Sequence, residues 1–463
     1  MIQNNCYIGI VKKLSVFILI FICMNLHAQP VTITLNPDEA VEIALRNNLN
    51  LESSRTSLET RKRASEMSWN QFIPSVTVAG TMIRQNEEPQ GMTIDLPPML
   101  GGPVTIGGGS QWNIAGTIQA SLNISLAMFE NMNRLRLDYE AGLLSYERAK
   151  AQLERDVRKA YHSMLMLQEN IALLHSSVEN ADRQVAMAQA NYNAGLVPEL
   201  TFLQARVARE NMRPVIDQAE NGLKLYMAQF AMFLGLDYDT VFELDQITDS
   251  FDFIPVDVAQ MVSQAAARKP EILELRQTIL LLESARKMQV EALYPTLSLS
   301  WSHTSALMDP WNRSWFEYDN WVRSGSLTIS LGLRLHSLFP FSTDNQSIKN
   351  LDDQLRTATI GLAQLIHGTE IEVYNIILSL ERTRTNAQAL QQTVNLAEQA
   401  YSLTEQAYMA GLQDYYQVQN AEQSLRQARV QLLEQQFNFL NGLIDLEYAT
   451  GVPFGTLSGR REL

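Results

Sequence analysis

The 463-residue chain carries one heptad pattern twice, and this repeat constrains the fold more than any other feature of the sequence. In the first copy, mostly apolar residues follow one another at alternating spacings of four and three from Leu153 to Tyr192. A shift of 216 residues moves Tyr192 onto Tyr408, and a more polar copy of the stripe runs from Thr369 to that tyrosine. Heptad spacing is typical of long helices that pack with a left-handed twist.

Identical residues at the same shift support an internal repeat. Each pair would mean little alone, but all of them share one offset without a gap. The pairs are Leu174 and Leu390, Val178 and Val394, Ala181 and Ala397, Tyr192 and Tyr408, Ala205 and Ala421, and Gly235 and Gly451. We therefore expect a first structural repeat over residues 29–252 and a second over residues 253–463.

Proline limits where the long helices can run, because its ring removes a backbone hydrogen bond and clashes with the preceding turn. Residues 104–197 and 341–452 contain no proline. Within them the heptads predict helices over about 130–193 and 346–409, each roughly 95 Å long at about 1.5 Å per residue. No ordinary globular core needs such a helix. A soluble coiled-coil rod is the alternative that the helices alone leave open.

Both long helices end in a similar motif, NYNAGL within residues 191–198 and AYMAGL within residues 407–414. Glycine adopts the left-handed backbone conformation that ends a helix at little energetic cost, so Gly195 and Gly411 predict helix ends. Asp414 is a good N-cap for a returning helix. Each motif is therefore expected to be the tip of a helical hairpin.

Four segments between the helices alternate like β-strands, with one apolar face and one face of small polar residues. They lie at about residues 75–82 and 114–126 in the first repeat, and at about 296–302 and 326–335 in the second. Five of the six tryptophans lie in these strands and their loops, and tryptophan is typical of membrane interfaces. A small soluble β-domain with exposed aromatic loops is the alternative.

Strands that cross lipid must close into a barrel, because an open edge leaves backbone groups without hydrogen bonds in hydrocarbon. Four strands are too few to close alone. Two chains would give an eight-stranded barrel filled by side chains, whereas three would give a twelve-stranded barrel with room for a pore. The pattern therefore indicates a barrel shared between chains.

The N-terminus has the pattern of a secretory signal peptide: two lysines, an apolar run from Leu14 to Met24, and small residues before Gln29. We place the signal at residues 1–28, because about 11 apolar residues are too few for a spanning helix. Both cysteines of the chain, Cys6 and Cys23, lie in this segment. Its removal would leave no thiol, which suits an oxidising compartment.

Composition and motifs argue against two classes of function. The formal net charge of −14 argues against nucleic-acid binding, which needs concentrated lysine and arginine. No Gly-Lys-Ser/Thr phosphate motif occurs, and the histidines after the signal segment lack metal-ligand spacing. These histidines are His162, His175, His303, His336 and His367. We therefore expect a protein that is not an enzyme and that has no catalytic residues, cofactor or metal site.

Taken together, these features resemble the TolC-type outer-membrane efflux family, also called outer-membrane factors. The resemblance rests on the tandem halves, on FIPSVTV and LYPTLSLS before the strands, and on NAGL and MAGL at the tips, and it covers almost all of the chain after the signal. It implies a mainly α fold with a membrane β-barrel. In a homotrimer, a twelve-stranded barrel would lie in outer-membrane lipid, and a long α-helical coiled-coil barrel would form a tunnel through the periplasm.

The resemblance also implies docking to a periplasmic adaptor, or membrane-fusion protein, and coupling to an inner-membrane RND or ABC transporter. In this family pattern the adaptor engages the hairpin tips. The docking residues implied are Tyr192, Ala194, Gly195, Leu196, Tyr408, Ala410, Gly411 and Leu412.

The best-known members of the family close the periplasmic entrance with acidic residues and an arginine near the tip glycines. Here Thr201, Gln417 and Asn420 stand at the acidic positions, and Gln413 replaces the arginine. Two acids remain nearby, and they would form an acidic ring unless they only compensate the helix dipole. The candidate gate residues are Glu199, Thr201, Gln413, Asp414, Gln417 and Asn420.

The leading interpretation of function is a passive exit duct of a tripartite efflux or type I secretion system, opened at its periplasmic tips by an adaptor and an inner-membrane pump. The alternative is a structural or adhesive coiled-coil protein anchored in the outer membrane. The strand alternation, with an apolar face suited to lipid, favours the duct.

Overall fold

The computed structural model describes residues 32–87, 91–94, 97–102, 104–106, 110–245 and 257–457. The expected signal peptide, residues 1–28 with Cys6 and Cys23, lies outside the described residues. The strands are β1 (Thr32–Leu35), β2 (Ser75–Arg84), β3 (Met92–Ile94), β4 (Val104–Ile106), β5 (Trp112–Ile124), β6 (Val241–Leu244), β7 (Thr296–Met308) and β8 (Trp321–Gly332). The α-helices are α1 (Pro37–Asn47), α2 (Leu49–Glu66), α3 (Leu126–Asn193), α4 (Glu199–Glu210), α5 (Met212–Leu234), α6 (Val258–Arg268), α7 (Pro270–Glu291), α8 (Thr343–Met409) and α9 (Tyr415–Thr450).

The chain divides into two compact units that cut across the sequence repeats. One unit contains the described residues up to Arg55, the segment Tyr146–Ile272, and the described residues from Ile366 onward. The other contains Thr56–Ser145 and Leu273–Leu365. Each unit therefore takes segments from both halves of the sequence, because the long helices and the strands of the two repeats pack with their counterparts.

In the second unit, four strands form one antiparallel sheet in the order β2-β5-β7-β8. The register brings the corresponding faces of neighbouring strands together. Val78, Ile118 and His303 lie side by side on one face, and Thr77, Gln119 and Ser302 lie side by side on the other. One face is thus mostly apolar and the other is rich in serine and threonine. β2 and β8 are the two edges of this sheet.

The strand bounds differ from those expected from the sequence. β7 continues past residue 302 to Met308, because His303–Met308 pairs with β5 along Asn113–Ile118. The alternation there includes histidine, serine and alanine, so the sequence signal fades although the pairing continues. β8 is shifted towards the N-terminus, beginning at Trp321 and ending at Gly332 instead of residue 335. The residues that follow lead into a 3-10 turn.

The long helices α3 and α8 contain 68 and 67 residues, and each begins slightly before its expected start. Several members of each heptad stripe are buried. In α8 the buried stripe consists of Thr369, Val373, Leu380, Thr383, Ala387, Val394, Tyr401 and Tyr408. In α3 the buried members are Leu153, Val157, Met164, Ala181 and Ala188. Within the described residues, no helix has the length and apolar content needed to cross a membrane.

The first unit has its own core around a short parallel pair, β1 with β6. Leu35, Phe230 and Phe242 are buried there with residues of α3. The hydroxyl of Tyr161 donates to the carbonyl oxygen of Leu35 at 2.7 Å and lies 3.1 Å from that of Asp245. This contact fixes both short strands to the long helix that leads to the first tip.

Candidate functional site

Both long helices end in the same backbone motif at the expected hairpin tips. Gly195 and Gly411 have φ values of 71° and 72°, in the left-handed region. At the first tip the N–H of Leu196 donates to the carbonyl of Asn191 at 2.8 Å, and at the second the N–H of Leu412 donates to that of Ala407, also at 2.8 Å. The glycine N–H groups donate to the tyrosine carbonyls three residues earlier, which completes a Schellman motif at each tip.

The first tip is loosely packed around its aromatic residue. Tyr192 is 39% exposed, and its ring stacks on that of Phe202 with the centroids 6.2 Å apart. The returning helix α4 begins at Glu199 with Pro198 at the N-cap, and no side-chain hydrogen bond caps it. The backbone of the turn is therefore fixed mainly by the glycine and its hydrogen bonds.

The second tip is packed against a core. Tyr408 is 2% exposed, and its ring meets that of Tyr415 at 6.3 Å. Tyr401 and Val418 belong to the same buried cluster. Burial raises the pKa of Tyr408, and burial together with the neighbouring Tyr408 and Glu422 raises the pKa of Tyr415 to about 12. These hydroxyls therefore stay protonated and neutral in the physiological range.

Exposed apolar residues stand at equivalent positions beside the two turns. Leu196 and Leu412 are 73% and 79% exposed. Leu200 and Tyr416, which the same shift of 216 residues relates, are each 64% exposed. The sequence reading included the two turn leucines and missed Leu200 and Tyr416. The repeat offset could have identified them, because it relates two apolar residues that both lie off the buried heptad stripe.

The candidate gate residues lie in and beside the two turns. Glu199 is the exposed first residue of α4, and Thr201 is half-buried one step further on. Asp414 caps α9, where its carboxylate accepts the N–H of Gln417 at 3.0 Å. Gln413 is exposed in the turn, and Asn420 is half-buried on α9. Within one described chain, no hydrogen bond or ion pair joins the side chains of any two of these six residues.

The histidines are dispersed. His175 lies 3.2 Å from Glu220, His367 lies 3.2 Å from Glu370, and His303 stacks on Trp301. His162 is buried near Phe437. In the part of the chain that the structure describes, no group of three or more histidine, cysteine, aspartate or glutamate side chains is arranged to hold a metal ion.

A comparison with protein-family models decides the family. The model for outer membrane efflux proteins matches residues 40–231 and again residues 261–452. The chain belongs to the outer membrane efflux protein family. The two successive matches fall in the two halves of the sequence, and the resemblance drawn from the tandem halves and tip motifs is confirmed. Membership gives the chain the function of an outer-membrane efflux channel, which is not an enzymatic activity.

Solved structures of outer-membrane channels share the fold. CusC, described for transmembrane channel formation, matches with a TM-score of 0.73 and 15% identity over 93% of this chain and 96% of its own. VceC of Vibrio cholerae matches with a TM-score of 0.70 and 15% identity over 90% and 96%. CmeC of Campylobacter jejuni matches with a TM-score of 0.69 and 16% identity over 90% and 85%. A search of curated protein sequences found no match.

Proposed function

We propose that three copies of this chain close a twelve-stranded barrel in the outer membrane and continue as an α-helical tunnel into the periplasm. The assembly is the passive exit duct of a tripartite efflux or type I secretion system. A periplasmic adaptor and an inner-membrane RND or ABC transporter open it at the tips and supply the energy.

The observation that carries this proposal is the four-stranded sheet with one apolar and one uncharged polar face. Its edges, β2 and β8, have no partner strand in the described chain. Unpaired edges in lipid leave backbone groups without hydrogen bonds, so pairing β8 of one copy with β2 of the next satisfies both. Three sheets of four strands give a barrel wide enough for a pore.

The height of the apolar face suits a bilayer. On β5 apolar residues line this face from Ile114 to Ile124, interrupted by Gly116. Ten steps at about 3.3 Å make roughly 33 Å of strand, which a tilt of about 40° reduces to roughly 25 Å. That is about the apolar band of outer-membrane barrels. Trp112 and Trp321 lie at one end of the same face, as expected of an interface.

The tips support the second part of the proposal. Each hairpin turn presents an exposed leucine, Leu196 or Leu412. The start of each returning helix presents another exposed apolar residue, Leu200 in α4 or Tyr416 in α9. Exposed apolar residues at the ends of hairpins are suited to contact with a partner's hairpins. We place adaptor docking there, and the entrance gate at the six candidate gate residues in and just after the turns.

The test uses two neighbouring residues of β8 on opposite faces. Leu327 is 68% exposed on the apolar face, and Thr328 stands on the polar face. A lysine facing lipid costs about 2–4 kcal/mol near the bilayer centre, whereas a lysine facing water costs little. We expect native mass spectrometry in mild detergent to give a three-chain species for the wild type and Thr328→Lys, and much less of it for Leu327→Lys.

A monomer or dimer from the wild type would contradict the trimer. Equal loss of assembly in both variants would contradict the assignment of faces. A trimer that inserts into planar bilayers and stays without conductance even with its adaptor bound would instead favour the structural or adhesive alternative.

A further inference from the structure

The polar face of the four-stranded sheet carries mainly hydroxyl and amide side chains, with a few apolar residues towards one end, and no charged side chain. Successive rows across the sheet contain Thr77 with Gln119, Ser302 and Ser326, and then Thr117 with Thr304 and Ser324. Charged residues make up 19% of the whole chain, so a face contributed by four strands of 10 to 13 residues would ordinarily carry several. None of β2, β5, β7 and β8 places one there.

The charged side chains of these strands stand on the opposite face. Arg84 and Arg323 share that face with the apolar residues, and both lie towards the ends of their strands. The guanidinium of Arg323 lies 3.3 Å from the ring centroid of Tyr318, and that of Arg84 lies 5.8 Å from the ring of Trp112. Stacking on aromatic rings at a strand end suits a membrane interface and directs these charges away from the polar face.

Hydrogen bonds between hydroxyls connect neighbouring strands on the polar face. Ser302 and Ser326 are 3.2 Å apart, and Thr117 and Thr304 are 3.1 Å apart, measured between their oxygens. A hydroxyl both donates and accepts hydrogen bonds, so it solvates a cation through its oxygen and an anion through its proton. A lining whose polar groups are mainly hydroxyls therefore favours neither sign of charge.

We propose that the barrel of this duct does not select solutes by charge, and that cations, anions and neutral polar solutes pass it alike. This inference rests on the proposed barrel, whose lumen the polar face lines. A pore with low-dielectric walls concentrates the field of any fixed charge in its lining, so a lining without charge leaves that field weak. Any discrimination by charge then belongs to the helical part of the duct or to its partners.

Single thiols report the field in the lumen directly. Cys6 and Cys23 are the only cysteines of the chain, so a background with both changed to serine makes each further variant a single-thiol protein. We would introduce Ser302→Cys on the polar face and Leu327→Cys on the apolar face. The trimer in lipid vesicles would be treated with cationic and anionic methanethiosulfonate reagents of similar size.

We expect the thiol of the Ser302→Cys variant to react with both reagents. Its cation-to-anion rate ratio should lie within about fivefold of the ratio for a small free thiol at low salt, because an uncharged lining concentrates neither reagent. A larger departure in either direction would overturn the inference.

Ser326→Asp in the same background tests sensitivity, because a carboxylate beside residue 302 should raise the cationic rate and lower the anionic one. A ratio that Ser326→Asp leaves unchanged would also count against the inference, since a charge on this face would then have no effect in the lumen.

The apolar-face thiol separates failure of this inference from failure of the barrel. If the polar face lines a lumen, the Leu327→Cys variant should be protected by lipid while the Ser302→Cys variant reacts. Equal reaction at both positions, or no reaction at either, would contradict the proposed barrel itself. A skewed ratio with Leu327→Cys still protected would leave the barrel in place and show that its lumen selects by charge.

Discussion

At the first tip, the ring of Tyr192 is 39% exposed and rests on Phe202, whereas at the second tip the equivalent Tyr408 is 2% exposed within a cluster of buried side chains. The turns themselves have glycine φ values that differ by one degree and the same Schellman hydrogen bonds. Local backbone chemistry therefore fixes the turn in both repeats. The packing beneath it depends on the neighbouring helices and has diverged.

The helices that return from the two tips differ in continuity. In the first repeat the return is divided into α4 and α5 at Asn211, and Pro214 lies in the first turn of α5. Proline has no N–H to donate to the preceding turn, so a helix can begin just before it but cannot run through it unbroken. In the second repeat α9 runs without interruption over Tyr415–Thr450, and Val430 takes the equivalent place. The second hairpin is thus the more continuous and the better packed.

The largest expected effect comes from removing the two tyrosine rings. Tyr408→Ala should destabilise its hairpin by about 3–5 kcal/mol, because it leaves a cavity in a buried cluster. Tyr192→Ala should cost about 1 kcal/mol, since it loses one partly exposed ring contact. Hydrogen–deuterium exchange of α9 and of α4 would measure each loss. Equal protection losses in the two hairpins would contradict the difference in packing.

Sequence reasoning predicted the repeat, the long helices and the tip turns because these depend on local rules. Heptad spacing, the absence of proline, and a glycine at Gly195 or Gly411 each act within a few residues. Such rules could not predict the difference in burial between Tyr192 and Tyr408. Both are tyrosines at the same heptad position, and their burial depends on residues of other helices.

The strands show the same limit. Alternation located all four, but the length of β7 depended on its pairing with β5, which carries the strand through His303 and Ser305 to Met308. The role of Asp414 as an N-cap was predictable, because capping is local. Whether Glu199 and Asp414 face an entrance is set by an assembly of chains, so it stays a prediction.

A second, intermediate effect is expected from the turn glycines, where the two tips should respond alike. A Cβ at Gly195 or Gly411 would have no atom within 4 Å outside its own neighbours, so the cost arises from the backbone conformation. Gly195→Val and Gly411→Val should each cost about 1–3 kcal/mol of hairpin stability. We expect weaker pull-down of the adaptor by either variant, while the three-chain species persists in native mass spectrometry.

Gly235→Val provides a contrasting control for the turn glycines. Its φ is 73°, but a Cβ there would collide with the backbone carbonyl of Asn47, so both strain and overlap act. This variant should lose more stability than either tip variant. Full adaptor binding by a chain carrying both tip substitutions would show that the turns are not the docking contact.

The smallest expected effect concerns the caps, and it separates stability from charge at the entrance. Asp414→Ala removes the carboxylate that accepts the N–H of Gln417, which should cost about 1 kcal/mol, whereas Pro198→Ala at the first tip removes no side-chain cap. Asp414→Asn keeps a good cap and loses the charge. If the acid contributes to a ring at the mouth, Asp414→Asn combined with Glu199→Gln should keep the thermal midpoint and reduce cation selectivity in single-channel reversal potentials at low salt. If Asp414 only caps α9, selectivity should stay unchanged in that pair, and the neutral residues Gln417 and Asn420 become the constriction to test by alanine substitution.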